Sequence, residues 1–354
     1  MNPKLLIIGA IPNAKYKLGY GGATVLMQNF LEYLNKHNIS YKFIHTTRFW
    51  NSKTGKKRSL LNSAYFFLNF IVNIPFCDIV MFNFSDNGVV KIFPTLVKIS
   101  KLFRKKIVLR KFGGSLEIFF NECSKKQRNT TLESISKCDL ILFETKAGIH
   151  HLKKNLSGPI NIHWFPNNRE ALPLRKDSSK KSGDIVFISR ISDEKGVADI
   201  IKIAQRLSPE YKFHLYGNIA DAKYEDFDWS ANGVIFHGTI ESSNVPEILS
   251  QAHLLILPSY YREGYPGIII EALSVGLPVI ATNVGGIPEM IQNKIEGIIV
   301  TPGDINGLVT AIKSIDKESY IQYCRNSYNK YKHDFESEVI NQRVLDLIMK
   351  LSKD

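Results

Sequence analysis

Two glutamates flank a turn rich in glycine and proline, and their surroundings predict a ligand site. Glu263 and Glu271 have seven residues between them, and the intervening stretch begins Gly264-Tyr265-Pro266-Gly267. An apolar run of strand length, Ala252 to Leu257, precedes them, and the residues from Ile268 onward can open a helix. The free N–H groups and positive dipole end of a helix favour an anion at such a turn. A carboxylate there suits hydroxyl donors, as a sugar or a ribose presents them.

A second strand and loop carry two cations. Asp184 to Ser189 reads as a buried strand, and Arg190 and Lys195 follow it before the next helical pattern. Cations at the carboxyl end of a strand, beside a helix N-terminus, can neutralise a diphosphate. The alternative is a surface pairing of these cations with Asp193 and Glu194.

The elements that must position these residues alternate between strand and helix. The predicted strands lie within residues 3–10, 41–46, 78–84, 106–115, 139–145, 161–168, 184–189, 211–217, 234–240, 252–257, 279–286 and 297–300. This alternation predicts α/β architecture with doubly wound parallel sheets, whose ligands bind beyond the carboxyl ends of the strands.

A polar stretch without periodicity divides the chain. At 354 residues the length suggests two domains. We expect a first domain at 1–172, a linker at 173–183, a second domain at 184–327 and a helical segment at 328–354.

A glycine pair opens the first predicted helix. Gly21 and Gly22 precede an apolar pattern of helical spacing that continues to Leu34. Glycines at a helix start allow close backbone approach to a phosphate or a sugar, although a plain turn is the alternative. The spacing is not Gly-x-Gly-x-x-Gly, so a dinucleotide fingerprint is absent.

The charge of the chain is asymmetric. Residues 1–176 contain 28 lysines and arginines against 9 acidic residues, whereas residues 177–354 contain 18 against 24. The basic clusters lie at 53–58, 98–106 and 125–128, and the first two adjoin apolar segments. This pattern favours an anionic membrane surface. A solvated surface is the alternative, and no nucleic-acid-binding motif accompanies the charge.

Other features predict an ordinary reduced protein. The four cysteines form no Cys-x-x-Cys pair, and we expect buried free thiols in a cytoplasmic protein. The N-terminus does not resemble a signal peptide. The longest apolar stretch, Ala64 to Phe84, is interrupted by polar residues and proline, so any membrane role is expected to be peripheral.

The stretch from Leu257 to Glu289 resembles the family 4 retaining glycosyltransferases of the GT-B superfamily. It carries their Glu-x7-Glu signature, followed by Ala272-Leu-Ser-Val-Gly-Leu-Pro and Gly285-Gly-Ile-Pro-Glu289. Arg190 and Lys195 fall in a segment similar to the family's Gly-Arg-Leu-x-x-Glu-Lys-Gly, with Ser189 in place of glycine. The resemblance implies two Rossmann-like domains that face each other across a cleft, the first binding the acceptor and the second the nucleotide sugar. It also implies that the last helical segment returns to the first domain.

The resemblance assigns roles to residues of both halves. It implies that Glu263 orients the hexose hydroxyls, that Glu271 binds the ribose diol, and that Arg190 and Lys195 hold the diphosphate. The catalytic set is Arg190, Lys195 and Glu263. The donor-binding set is Gly22, Gly217, Ile240, Gly264, Tyr265, Pro266, Gly267 and Glu271, with Gly217 and Ile240 at the nucleobase. The expected enzyme is a metal-independent retaining hexosyltransferase that needs no cofactor and uses a UDP- or GDP-linked donor.

The acceptor side departs from the family pattern. Relatives often have a His-Gly element where this chain has Arg110 and Lys111 followed by Phe112-Gly113-Gly114. Together with Asp86 beyond an earlier strand, these residues are the predicted acceptor-side set. The basic pair could contact an anionic lipid diphosphate.

Family habit and the basic first half suggest assembly of a bacterial surface polysaccharide, such as O-antigen or capsule. The acceptor would be a saccharide or a polyprenyl-diphosphate-linked saccharide, and the protein would lie peripherally on the inner face of the plasma membrane. Two alternatives remain, a nucleotide-sugar epimerase of the same fold and a non-catalytic subunit that binds sugar nucleotides.

Overall fold

The computed structural model describes residues 3–12, 22–46, 56–113, 120–173, 176–177, 183–260 and 263–352, with the backbone alone at 56–61. Gly21, Gly114, most of the predicted linker and residues 53–55 of the basic cluster at 53–58 lie outside the described residues. The chain forms two compact units. One contains Met1–Asn167 together with Ile340–Asp354, and the other contains Asn168–Val339.

The first unit is built on a six-stranded parallel sheet in the order β2-β1-β3-β4-β5-β6. Its strands are β1 (Leu5–Gly9), β2 (Tyr41–His45), β3 (Ile79–Phe84), β4 (Lys106–Lys111), β5 (Leu140–Phe143) and β6 (Ile162–Trp164). Its helices are α1 (Gly22–Lys36), α2 (Lys56–Asn73), α3 (Asp86–Lys91), α4 (Phe93–Leu102), α5 (Lys125–Ser136) and α6 (Lys146–Asn155). The chain order reverses between β1 and β3, which makes the carboxyl ends of these strands the switch point of the sheet.

The second unit has another six-stranded parallel sheet, in the order β12-β11-β10-β7-β8-β9. Its strands are β7 (Asp184–Ile188), β8 (Lys212–Tyr216), β9 (Val234–Phe236), β10 (Leu254–Leu257), β11 (Val279–Thr282) and β12 (Gly297–Val300). Its helices are α7 (Val197–Leu207), α8 (Val245–Gln251), α9 (Gly267–Val275), α10 (Ile287–Met290), α11 (Ile305–Lys313) and α12 (Lys317–Asp334). Here the reversal lies between β7 and β10.

The last helix, α13 (Ser337–Leu351), runs from the second unit into the first. Its residues Ile340, Val344 and Ile348 are buried with Phe30 and Leu34 of α1, on one face of the first sheet. Helices α2, α4 and α6 contribute to the core on the other face. Alternate strand residues serve the two faces because successive side chains of a strand point to opposite sides.

These sheets confirm the predicted pair of doubly wound parallel sheets. The strand runs are rich in isoleucine, leucine, valine and phenylalanine because both faces of each sheet are covered. All four cysteines are free, and burial raises the pKa of Cys77 and of Cys324 to about 11. No helix in the described part of the chain is long and apolar enough to cross a membrane.

Candidate functional site

The loop after β7 brings a buried lysine to the carboxyl end of β10. Lys195 Nζ donates to Oε1 of Glu263, and only 11% of the lysine side chain and 12% of the glutamate side chain are exposed. The hydroxyl of Ser259 donates to the same oxygen, at 2.9 Å. Two residues that the sequence places 68 positions apart therefore form one buried ion pair.

Backbone packing fixes this meeting. Gly196 follows the lysine in the left-handed region, with φ +80°, and a Cβ there would lie 2.1 Å from the carbonyl oxygen of Pro258. The Tyr260 N–H also donates to the Glu194 carbonyl, at 2.8 Å. Glycine is needed at 196 both for its φ and for this close approach.

The backbone of Glu263 rests on a glycine pair after β11. The Gly286 N–H donates to the Glu263 carbonyl at 2.9 Å, and a Cβ at Gly285 would lie 2.0 Å from that carbonyl oxygen. Tyr265 is 2% exposed, and its hydroxyl donates to Oε2 of Glu289 at 2.5 Å. These contacts hold the 263–267 turn at the first residues of α9.

The second glutamate of the motif also has a cationic partner. Glu271 lies on α9, and its Oε1 accepts from Arg169 Nε at 3.0 Å, with side-chain exposures of 22% and 17%. Arg169 is anchored through its backbone, since its N–H donates to the Phe335 carbonyl and its carbonyl accepts from the Ser337 N–H. Its guanidinium covers Gly267, where a Cβ would lie 2.2 Å from Nη2.

Arg190 differs from these paired cations. Its side chain is exposed, and no hydrogen bond or ion pair joins it to the described residues. Nearby, the Ser192 hydroxyl is buried and has no hydrogen-bond partner among them. The loop between β7 and α7 thus holds one uncommitted cation and one uncommitted hydroxyl, both available to an anionic ligand.

The surface-pairing alternative for this loop does not hold for Lys195. Asp193 is bound instead by Lys223 and by the Tyr224 hydroxyl. Burial would raise the pKa of Asp193, but these two hydrogen bonds lower it below its usual range.

The predicted nucleobase residues lie apart from the two glutamates along the sheet. Gly217 follows β8 with φ +147°, and a Cβ there would lie 1.8 Å from the Ser189 carbonyl oxygen, so packing alone requires this glycine. Ile240 follows β9 and is half-buried. Both lie at the carboxyl edge of the second sheet, on the β8 and β9 side.

The predicted acceptor-side cations are interior groups of the first unit. Arg110 is 2% exposed, and its guanidinium lies 3.8 Å from the Phe165 ring centroid and 4.5 Å from that of Phe112. Lys111 is 1% exposed and pairs with Asp86 Oδ1 at 2.8 Å. Burial lowers the pKa of both cations, and neighbouring carboxylates oppose the shift.

These positions correct the picture of a basic pair that reaches out to a lipid diphosphate. Lys111 also donates to the carbonyls of Phe112 (2.5 Å) and Gly113 (3.0 Å), and the Gly113 N–H donates to Glu144 Oε2 at 2.6 Å. The group Asp86, Lys111 and Glu144 therefore shapes the turn after β4. Supporting the loop is the role that these contacts favour.

Gly22 is the first residue of α1 and is exposed, and a Cβ built on it would meet none of the described residues within 4 Å. Within the described residues, no group of three or more His, Cys, Asp or Glu side chains could hold a metal ion.

Sequence reasoning missed three residues of the second-unit site, namely Ser259, Arg169 and Glu289. Ser259 and Glu289 lie inside the recognised stretch, and their polar side chains beside the glutamate and the glycine pair were the available signal. Arg169 gave no such signal, because it stands 102 residues before its partner and just before the predicted linker.

Comparison with known proteins finds a family model and curated relatives that match part of the chain. Residues 182–317 match the family described as Glycosyl transferases group 1. The chain is 25% identical over 189 residues to the putative colanic acid biosynthesis glycosyltransferase WcaL of Escherichia coli K12, covering 48% of this chain and 45% of that protein. It is 31% identical over 133 residues to the putative teichuronic acid biosynthesis glycosyltransferase TuaC of Bacillus subtilis, covering 38% and 33%. The chain thus spans about half the length, or less, of the curated relatives it matches.

Solved structures match over nearly the whole chain. Anabaena Alr3699/HepE in complex with UDP has a TM-score of 0.75 at 16% identity, covering 98% of this chain and all (100%) of that one. The apo form of the lipopolysaccharide outer core galactosyltransferase WaaB has a TM-score of 0.72 at 18% identity, covering 99% and 100%. The shared architecture is the GT-B fold, as the sequence resemblance implied.

Proposed function

Residues 182–317 carry the sequence of the Glycosyl transferases group 1 family, and on that premise we propose that this chain is a glycosyltransferase. It transfers a hexosyl-type sugar from a UDP- or GDP-linked donor to a saccharide acceptor. The observation that carries the proposal is the buried contact between Lys195 and Glu263, where β7 and β10 end beside the first turn of α9. A cation and a carboxylate together there suit a ligand with both phosphates and hydroxyls.

In the proposed complex the donor binds along the carboxyl edge of the second sheet. The diphosphate lies against Arg190, Lys195 and the N–H groups at the start of α9. Glu263 accepts from the hexose hydroxyls and Glu271 from the ribose diol. The base lies on the β8 and β9 side, near Gly217 and Ile240. The complex of the similarly folded HepE protein with UDP supports the proposal that this fold binds a nucleotide.

The reaction develops negative charge on the β-phosphate as the sugar leaves. Arg190 and Lys195 stabilise that charge. Because the two cations are already in place, the site does not have to reorganise as the charge develops. The bond between the anomeric carbon and the phosphate oxygen breaks, and the acceptor hydroxyl oxygen bonds to the anomeric carbon from the same face. The hydroxyl proton passes to the departing phosphate. Configuration is thereby retained. Two cations provide the charge compensation, so we propose that no metal ion is needed.

Peripheral membrane attachment is part of the proposal. The outward face of α2 and of the residues after it exposes large apolar side chains at helical spacing, with 56% of Tyr65, 61% of Leu68, 56% of Val72 and 75% of Phe76 exposed. Exposed apolar groups suit a lipid interface, and the basic composition of the first half of the chain suits an anionic one. We propose that the protein acts at the cytoplasmic face of the plasma membrane in the assembly of a surface polysaccharide. The relatives named for colanic acid and teichuronic acid biosynthesis support this setting.

Three measurements test the proposal. Purified protein is screened against UDP- and GDP-sugars by thermal shift, and transfer and anomeric configuration are followed by NMR with saccharide acceptors. We expect Lys195→Ala and Glu263→Gln to lower kcat by about 10²–10³-fold. The matched control is Lys202→Ala, since Lys202 is an exposed lysine on α7 that lies 3.9 Å from Asp199.

Each part of the proposal can fail separately. Full transfer activity in Lys195→Ala would remove the charge-stabilising role. Inversion at the anomeric carbon would remove the front-face mechanism, and loss of turnover in EDTA would remove metal independence. Consumption of the donor with no acceptor present would indicate an epimerase instead.

A further inference from the structure

A buried serine and a buried lysine donate to the same oxygen of the first motif glutamate. Ser259 is 0% exposed, and its hydroxyl lies 2.9 Å from Oε1 of Glu263. Lys195 Nζ donates to that oxygen as well. Within the described residues, no hydrogen bond reaches the other oxygen, Oε2. The two oxygens of Glu263 are therefore unequal, because one accepts from two protein donors and the other from none of these residues.

The serine hydroxyl has a single hydrogen and two acceptors within reach. The second acceptor is the Glu194 carbonyl, at 3.2 Å, which already accepts from the Tyr260 N–H at 2.8 Å. A hydrogen bond to an ionised carboxylate is about twice as strong as a bond between neutral groups. The single hydrogen of Ser259 is therefore directed to Glu263.

The two donors to Glu263 differ in their freedom to move. The Ser259 carbonyl accepts from the hydroxyl of Thr282 at 2.5 Å, and Thr282 is a 0% exposed residue of β11. The preceding carbonyl, of Pro258, packs against Gly196. Lys195 instead reaches the carboxylate from a loop, through a flexible four-carbon stem. The serine is thus a fixed donor, and the lysine is a movable one.

We propose that Ser259 is a positioning residue that holds the Glu263 carboxylate when Lys195 turns to the β-phosphate of the donor. This role rests on the proposed function, which supplies the diphosphate. A carboxylate of little exposure that loses its last donor bears the cost of its desolvation, so the serine hydroxyl matters more once the lysine has left. Ser259 therefore strengthens the binding of a diphosphate that it does not touch. It also keeps Oε1 occupied, which leaves Oε2 to accept from the hexose hydroxyls.

The test compares ligands with and without a β-phosphate. The full chain is titrated by calorimetry with UDP, UMP and inorganic pyrophosphate, or with GDP and GMP if the donor screen selects guanosine. We expect Ser259→Ala to weaken UDP and pyrophosphate about tenfold, the worth of a hydrogen bond to a charged group. UMP should bind as it does to the parent, because it has no β-phosphate to draw the lysine away from Glu263.

Further variants separate this role from a general loss of packing. In a Glu263→Gln background, Ser259→Ala should cause no further loss of UDP affinity, because the charge that the hydroxyl holds is gone. Ser259→Cys keeps a similar shape with a weaker donor, so its UDP affinity should fall between those of the parent and Ser259→Ala. It also serves as the test variant should Ser259→Ala not fold. Ser327→Ala is the matched control, since Ser327 is a 0% exposed serine of the same unit whose hydroxyl donates to the Glu296 carbonyl at 3.1 Å.

The outcomes separate the role of Ser259 from the proposed function. Unchanged UDP affinity in folded Ser259→Ala, equal losses of UDP and UMP, or a loss that persists in the Glu263→Gln background overturns the role and leaves the glycosyltransferase proposal intact. A loss of UDP affinity in Ser327→Ala as large as that in Ser259→Ala also overturns it. The expected pattern in a protein that transfers no sugar supports the role and removes the proposed function. A parent protein that binds neither nucleoside diphosphate nor pyrophosphate overturns both.

Discussion

Replacing Arg169 with leucine tests whether the second glutamate of the motif is held in place for a ribose. Arg169 Nε lies 3.0 Å from Glu271 Oε1, and the arginine backbone is fixed to the segment between α12 and α13. Leucine keeps much of the apolar stem and removes the guanidinium. Glu271 then keeps its charge but loses the group that fixes its direction, at the place where the ribose hydroxyls are proposed to bind.

The magnitude follows from the exposure of the pair. Exposed ion pairs contribute about 0.2–1 kcal/mol, and removing one partner of a fully buried pair costs about 3–5 kcal/mol. With 17% and 22% of the two side chains exposed, this pair lies between those limits, and only part of its free energy is expected to reach the ribose contact. We therefore expect about 1 kcal/mol, or roughly a fivefold change, in the preference for a ribonucleotide over its 2′-deoxy form.

The assay titrates parent and Arg169→Leu with UDP and 2′-deoxy-UDP, or with the guanosine pair if the donor screen selects GDP. We expect the ratio of the two Kd values to fall about fivefold, because the phosphate contacts are the same for both nucleotides. Arg169→Lys should restore part of the ratio. Arg206→Leu is the matched control, since Arg206 binds Asn306 on the outer surface of the same unit. A ratio that stays at the parental value in folded Arg169→Leu would refute the role given to the Arg169–Glu271 pair.

Three further predictions concern stability and membrane binding. Gly196→Ala should lower the melting temperature far more than Gly238→Ala. Both glycines have positive φ, but only a Cβ at 196 would meet a backbone carbonyl, at 2.1 Å. Equal losses of melting temperature would contradict this reasoning. Leu68→Asp should weaken sedimentation with anionic vesicles, whereas Ile321→Asp, at an exposed position of the second unit, should not; equal effects would argue against α2. Burial, followed by repulsion from His214, lowers the pKa of His237, so the native state resists its protonation and stability should fall as the pH drops below about 6.5. In His237→Gln the melting temperature should change less with pH between 7.5 and 5.5 than in the parent protein. A pH dependence parallel to the parent's would contradict the role given to His237.

Much of the fold and of the second-unit site could be predicted because the relevant signals are local. Apolar strand runs alternate with helical patterns, and glycines mark the strand ends. Lys195 and Glu263 each follow such a run, and parallel strands bring their carboxyl ends to one edge of a sheet. That rule placed both residues at the same edge before any contact between them was known.

The acceptor side could not be predicted in the same way, because burial of a cation depends on partners that are remote in sequence. Arg110 and Lys111 end a strand and read as ligand groups. Lys111 is paired with Asp86 at the start of α3, which follows the neighbouring strand β3, and Arg110 is enclosed by aromatic rings that include Phe165. Neither partner lies within twenty residues in the chain, so no local pattern could distinguish an interior cation from a binding one.

The pairing of both motif glutamates explains how the second unit tolerates two carboxylates with little exposure. A carboxylate with little exposure is costly alone, and here each glutamate has a cation, Lys195 for Glu263 and Arg169 for Glu271. The two cations differ in what they can do next. Lys195 lies on a loop beside the uncommitted Arg190, so a diphosphate can share it and leave Glu263 free to accept from hydroxyls. Arg169 is fixed by its backbone and stays with Glu271. We therefore expect the Lys195–Glu263 pair to exchange partners when a diphosphate binds, and the Arg169–Glu271 pair to position its carboxylate.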